Sequence, residues 1–164
     1  MMSANSTKEL LLTYSQILRE LKSRQVARSA NNPVGDLAET LFIRAFRLAL
    51  VKGSNKGYDA YDPKDKENSR YQIKGRRITA DNPSRQLSQI RDLQNDHFDY
   101  LVGVLFDEDF RLIRACVIPI ATVRLLAKKQ DWVNAWRLEL RDGLWKRPEV
   151  RDVTRELSTE YDKL

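Results

Sequence analysis

Apolar residues recur at helical spacing near the start of the chain and then alternate with polar ones, so the pattern predicts two helices leading into a sheet. Over residues 6–29, Leu10, Tyr14, Ile17, Leu18 and Leu21 fall on one helical face, and Ser6 with Glu9 forms a Ser-x-x-Glu capping box. Asn31, Asn32 and Pro33 break the chain, and Leu37, Ala38, Leu41, Phe42, Ala45, Phe46 and Ala49 define a second helix over residues 34–51. Residues 52–57, with two glycines, read as a flexible connection. The runs 58–61 and 71–77 then read as strands joined by the polar turn 63–68. Residues 79–84 form a loop, and Ser84 is placed to cap a helix over 85–95, with Gln86 and Gln89 near one face. Residues 99–106 are almost continuously apolar, as expected of a strand buried on both faces, and 111–118 supply its neighbour. Pro119 suits the first turn of a helix to residue 129. Beyond it, Trp132 and Trp136 are expected to pack on the core, 137–140 to pair with 143–146, and 148–161 to form a last helix. The alternation predicts an α/β fold, a mixed central β-sheet with helices on both sides.

A chain of 164 residues suits a single domain over residues 1–164 with one core. Its longest strongly apolar run has seven residues, residues 100–106, against the roughly 20 needed to span a bilayer, so no membrane helix is expected. The N-terminus lacks a basic stretch followed by an apolar one, which makes the cell interior (cytoplasmic) the expected location. One cysteine, Cys116, excludes an internal disulfide and a cysteine cage for zinc, and a buried strand thiol is its simplest role. One histidine, His97, leaves a histidine-rich metal site and a Ser/His/Asp triad without parts.

Charge narrows the field further. The formal net charge is +6, and between residues 70 and 91 six basic residues, Arg70, Lys74, Arg76, Arg77, Arg85 and Arg91, stand against Asp81 alone. A polyanionic partner fits that excess. By contrast, Lys22, Arg24 and Arg28 close the first predicted helix, where the macrodipole favours cations, and read as a solvated face.

The chemistry concentrates in residues 57–77. On a strand, residues two apart share a face, so Gln72 and Lys74 project together while Tyr71 and Ile73 project the other way. With Asp59 on the partner strand, a lysine, an amide and a carboxylate meet, a set suited to a phosphate and a hard cation. Read alone, the same residues fit a cross-strand ion pair worth a few tenths of a kcal/mol, about 0.2–1. Glu39, early in the second helix, has an equally plain explanation in the helix dipole.

An Asp on one strand followed about a dozen residues later by (Asp/Glu/Gln)-x-Lys on the next resembles the PD-(D/E)XK nuclease superfamily, and Gln72-Ile73-Lys74 is similar to its Mrr-type branch. The resemblance spans a core of about 34–118 and implies a restriction-endonuclease-like fold with α-β-β-β-α-β order. It implies Asp59 as central metal ligand, Glu39 as a supporting acid, Gln72 in the place of the second carboxylate and Lys74 as the catalytic lysine. Tyr58 stands where the motif has proline, and Gln72 removes one charge from the site. The activity implied is Mg2+-dependent, or Mn2+-dependent, endonuclease cleavage of double-stranded DNA, restriction-type, by a homodimer, since one site cuts one strand. Arg76, Arg77 and Arg85 are then expected to hold backbone phosphates, contacts that bring affinity and salt dependence without sequence information. The alternative is a DNA-binding or assembly subunit that keeps the fold without the chemistry.

Overall fold

The computed structural model describes residues 5–29, 31–53, 57–67 and 69–164. Residues 54–56 of the expected connection, Asn68 in the polar turn and the first four residues lie outside the described ones. In chain order the elements are α1 (Thr7–Ser23), α2 (Val34–Phe46), β1 (Ala49–Leu50), β2 (Ala60–Tyr61), β3 (Arg70–Arg77), β4 (Ile90–Arg91), β5 (Tyr100–Phe106) and β6 (Leu112–Pro119). They continue with α3 (Ile120–Leu126), β7 (Lys128–Gln130), β8 (Ala135–Arg137), a 3-10 turn at Asp142–Lys146, β9 (Arg151–Asp152) and α4 (Thr154–Tyr161). Among the described residues no helix is long and apolar enough to cross a membrane.

Six strands form a mixed sheet in the order β1-β2-β3-β5-β6-β9, in which β3 and β5 are the parallel pair and the other neighbours are antiparallel. At the head of that pair Asp99 accepts the backbone N–H of Arg70 at 2.7 Å and two guanidinium bonds at 3.0 Å, which fixes the register of β3 on β5. Strand β5 buries both faces. Val102, Val104 and Phe106 pack with Leu41 and Phe42 of α2 and Leu157 of α4, while Leu101 and Leu105 pack with Val123 of α3 and with Ile90, Trp136 and Leu140. The expected single core is therefore two apolar clusters, one on each face of the sheet. The second face is covered chiefly by a three-stranded sheet, β4-β8-β7, with α3 beside it.

That small sheet is the main departure from the sequence pattern. Residues 85–95 do not form a helix: Leu87 N–H donates to Leu138 O at 2.9 Å, Leu140 N–H to Arg85 O at 3.1 Å, and Ile90 pairs with Trp136. Leu87, Ile90 and Leu93 are all buried. Their three-residue spacing imitates a helix, but burial against β8 outweighs local preference. For the same reason 137–140 pairs with 85–87 instead of 143–146. Trp136 is buried as expected, whereas Trp132 sits at the β7–β8 turn and is 93% exposed.

Four helix ends also move, among them that of α3, which stops at Leu126 instead of 129 because Lys128–Gln130 pair with β8. The capping box at Ser6 and Glu9 starts α1, but α1 stops at Ser23 because Gln25 takes a left-handed φ of 58° and turns the chain so that Ala27 is buried. Its apolar face stays open, with Tyr14 53% and Ile17 51% exposed. Helix α2 ends on the left-handed Arg47, which frees Ala49–Leu50 to pair with β2. Helix α4 begins only at Thr154, after β9.

Candidate active site

Strand β2 is two residues long, so beyond Tyr71 the outer edge of β3 has no strand partner. Asp59, just before β2, fills the first vacancy. Its backbone N–H donates to Tyr71 O at 2.8 Å and its carboxylate accepts the Ile73 N–H at 2.7 Å. Gly57 allows the chain to reach this point, with φ at +72° and a Cβ position that would lie 2.6 Å from the His97 side chain.

From this edge both sides of the sheet are within reach. Ile73 packs toward α2, and Gly75 lets α2 lie close: a Cβ there would sit 2.6 Å from Val34 O. Glu39 projects from α2, and with Asp59, Gln72 and Arg28 it lines a cleft of about 460 Å³. Lys74 lies on the opposite face of β3, shared with Gln72, where its Nζ donates to Ser88 Oγ at 3.1 Å. It is close enough to Asp59 and Glu39 for their charges to act on it. Glu39, Asp59 and Gln72 thus line one cleft, and Lys74, outside its lining, feels the charge of both acids.

Burial dominates that environment. It pushes the Glu39 carboxyl up to about 7, reinforced by the charge of Asp59 and opposed by Arg28. Burial also raises Asp59, against the bond from Ile73 and the nearby charges of Lys74 and Arg28. Burial lowers Lys74, and the cation of Arg91 lowers it further, while Asp59 and Glu39 pull it back. Groups perturbed in this way, gathered in one cleft, suit proton and phosphate chemistry.

Gln72 carries the most pointed observation. Its Nε2 donates to Gly57 O at 3.4 Å, which leaves Oε1 as the free acceptor, and that oxygen is buried with no hydrogen-bond partner. An orphaned buried carbonyl costs about 1–3 kcal/mol. Two carboxylates and an amide oxygen are hard oxygen donors of the kind magnesium takes, and magnesium needs only one or two protein carboxylates. The donor set fits such an ion. Among the described residues no group of three or more His, Cys, Asp or Glu side chains is arranged to hold a metal ion.

Arg28 is the residue that sequence reasoning missed. It lies beyond the end of α1, not on a solvated helix face, and its guanidinium bonds both Asp36, at 3.0 Å, and Glu39. Asp36 also accepts the backbone N–H groups of Arg28 and Ser29, which hold the guanidinium at the cleft. A helix-breaking signal after Ser23 was the only way to find it, and Gln25 offers none.

No protein-family model and no curated protein matches this chain. The functional reading therefore rests on the site.

The three arginines expected to hold phosphates separate. Arg76 shares the face of Lys74 and is braced by Ser84 O at 2.7 Å and Asn82 Oδ1 at 2.9 Å. Arg77 points to the other face, where it bonds Glu108 O at 3.1 Å and lies 4.3 Å over the Phe110 ring. Arg85 is engaged by Asp142 at 2.6 Å. Arg91 and Arg137, with Arg76 and Ser88, line a groove of about 560 Å³ beside Lys74.

Proposed function

We propose that this chain is a metal-dependent DNA endonuclease with a restriction-endonuclease-like core. The carrying observation is the buried, unpartnered Oε1 of Gln72, a residue that lines one cleft with Asp59 and Glu39. The order α2, β2–β3 hairpin, then β5 parallel to β3 supports the same reading, but the helix that the α-β-β-β-α-β order places before the last strand is replaced here by the extended segment carrying β4.

Asp59, Glu39 and Gln72 would hold Mg2+, or Mn2+, which in such a site neutralises phosphate charge and acidifies a water. Lys74 stabilises the negative charge that grows on the phosphoryl oxygens. Its side chain is half-buried and its ammonium is held by Ser88, so little reorganisation is needed when charge develops. Arg76, Arg91 and Arg137 track the DNA backbone. One site cuts one strand, so cleavage of both strands calls for a homodimer, and the open apolar face of α1 at Tyr14 and Ile17 offers area for one. A restriction-type role inside the cell is the setting this activity fits.

A second reading is a DNA-binding subunit without chemistry. Arg28, bonded to Glu39, favours it, because the cleft already contains a cation. Incubation of plasmid DNA with the protein and Mg2+ separates the two. The nuclease reading expects nicking or cleavage that is lost with chelator, in Asp59→Asn and in Lys74→Ala, with folding retained. Asn keeps an acceptor for the Ile73 N–H, so its loss of activity reports the charge. Cleavage surviving in both variants overturns the assignment, and chelator-insensitive binding with no cleavage under any divalent ion favours the subunit.

A further inference from the structure

Trp132 is the most exposed large apolar side chain among the described residues, at 93%, and it stands at the tip of a short, well-tied hairpin. Strands β7 and β8 pair from Lys128–Arg137 to Gln130–Ala135, and the turn between them presents Trp132. The hairpin is fastened to the active-site lysine through one short stretch of chain. Ser88 holds Lys74, Gln89 donates to Gln130 Oε1 at 2.9 Å, Ile90 and Arg91 pair with β8, and Asp92 accepts Asn134 Nδ2 at 2.6 Å. The position of Trp132 is thus set relative to Lys74 by successive residues of a single segment.

The surface between them is basic. A cleft of about 730 Å³ below the tip is lined by Trp132 together with Lys128, Lys129, Arg137, Arg141 and Arg147. Gln86 and Arg137 line both this cleft and the groove beside Lys74, so the two are adjacent. Arg141 and Arg147 are paired with Glu139 and Glu149, but Lys128, Lys129, Arg137 and Arg91 have no carboxylate partner among the described residues. Lys129 lies over the Trp136 ring at 5.8 Å and Asp131 also lines the cleft, yet four cations without a carboxylate partner along one path match a polyanionic backbone. Inside an intact duplex both faces of every base are covered, so a lone indole has nothing to stack on. An unpaired base offers its face, and aromatic stacking on single strands tolerates any sequence.

We infer that the β4-β8-β7 sheet is an arm that binds unpaired DNA, in which Arg91, Arg137, Lys128 and Lys129 follow the phosphates and Trp132 stacks on an exposed base. This rests on the nuclease reading for its substrate class, and it adds that the preferred substrate contains a single-stranded stretch within reach of Lys74.

The test is binding by the full chain in chelator, where cleavage cannot interfere, to a labelled single-stranded oligonucleotide and to a covalently closed circular duplex. Trp132→Ala is expected to weaken single-strand binding by about five- to a hundred-fold and circular-duplex binding by less than about two-fold. Trp132→Phe is expected to retain most of the affinity. Equal single-strand binding by wild type and Trp132→Ala overturns the inference, as does an equal loss on both DNAs. A wild-type dimer that Trp132→Ala dissociates, with single-strand affinity unchanged, also overturns it, because the indole then serves a second copy. Wild-type single-strand binding that needs Trp132, with no cleavage in Mg2+, would leave the arm standing and remove the nuclease. Mg2+-dependent cleavage with Trp132→Ala binding normally would do the reverse.

Discussion

The cleft at the β2–β3 edge and the groove beside the small sheet hold opposite charges under opposite conditions. In the cleft, desolvation raises the carboxyls of both Glu39 and Asp59, the charge of Asp59 raises Glu39 further, and Arg28 is drawn in as a counter-charge. In the groove, Arg76, Arg91 and Arg137 stay solvated and lack acidic partners among the described residues. Lys74 lies at the junction and feels both, since Asp59 and Glu39 raise it while Arg91 lowers it. The difference teaches a division of labour: the buried end is built for charge that must be met at one point, and the open end for charge spread along a polymer.

Breaking the cleft should cost most. Asp59→Asn is expected to lower the cleavage rate by at least about 1,000-fold while the melting temperature and DNA affinity remain near wild type, by analogy with the loss of a main electrostatic element. Gln72→Glu sharpens the comparison by restoring a third acid. Isothermal titration should show Mg2+ affinity rising about tenfold, and the metal-free protein should be less stable because another carboxylate joins two that already repel.

The titration of Glu39 gives a pH signature with a definite sign. Its folded value of about 7 lies above its ordinary 4.5, so between those values the folded protein binds more protons than the unfolded chain. Metal-free stability is therefore highest below about 4.5 as far as this group is concerned, and falls as pH rises through 7. Discounted for the solvent on the open side of the cleft, the loss is about 1–2 kcal/mol. Chemical denaturation across pH should show it, and Glu39→Gln should flatten most of it, with the raised Asp59 supplying the remainder. In the groove the effects are smaller and separable. Arg91→Ala and Arg137→Ala should each weaken DNA binding several-fold and reduce the salt slope by about one, leaving cleavage at saturating DNA unchanged.

The same two regions differ in how much the sequence disclosed. Near the cleft, the capping box at Ser6, the break at Pro33 and the alternation around Gln72 and Lys74 are local signals, and local geometry obeyed them. Strand alternation places Gln72 and Lys74 on one face of β3, whereas Asp59 precedes β2 and is held at the edge of β3 by its bonds to Tyr71 and Ile73. Arg28 was not, since nothing in the composition marks the left-handed turn at Gln25. On the groove side the decisive interactions are non-local. Leu87, Ile90 and Leu93 imitate a helix but are buried as an extended chain against residues about 45 positions away, in β8 and just after it. Arg85 left the phosphate-binding set for a similar reason, its partner Asp142 being distant in sequence. Trp132 was expected inside because tryptophan usually is, and the hairpin that carries it outward depends on that same extended segment.

The account stands on a cation held between Asp59, Glu39 and the Gln72 carbonyl, and anomalous diffraction from crystals grown with Mn2+ tests it most directly. It predicts one manganese peak within coordination distance of Asp59 and Gln72 Oε1, absent in Asp59→Asn crystals. A cleft that stays without a peak at saturating Mn2+, with Arg28 still bonded to Glu39 and Gln72 Oε1 still unpartnered, would contradict it.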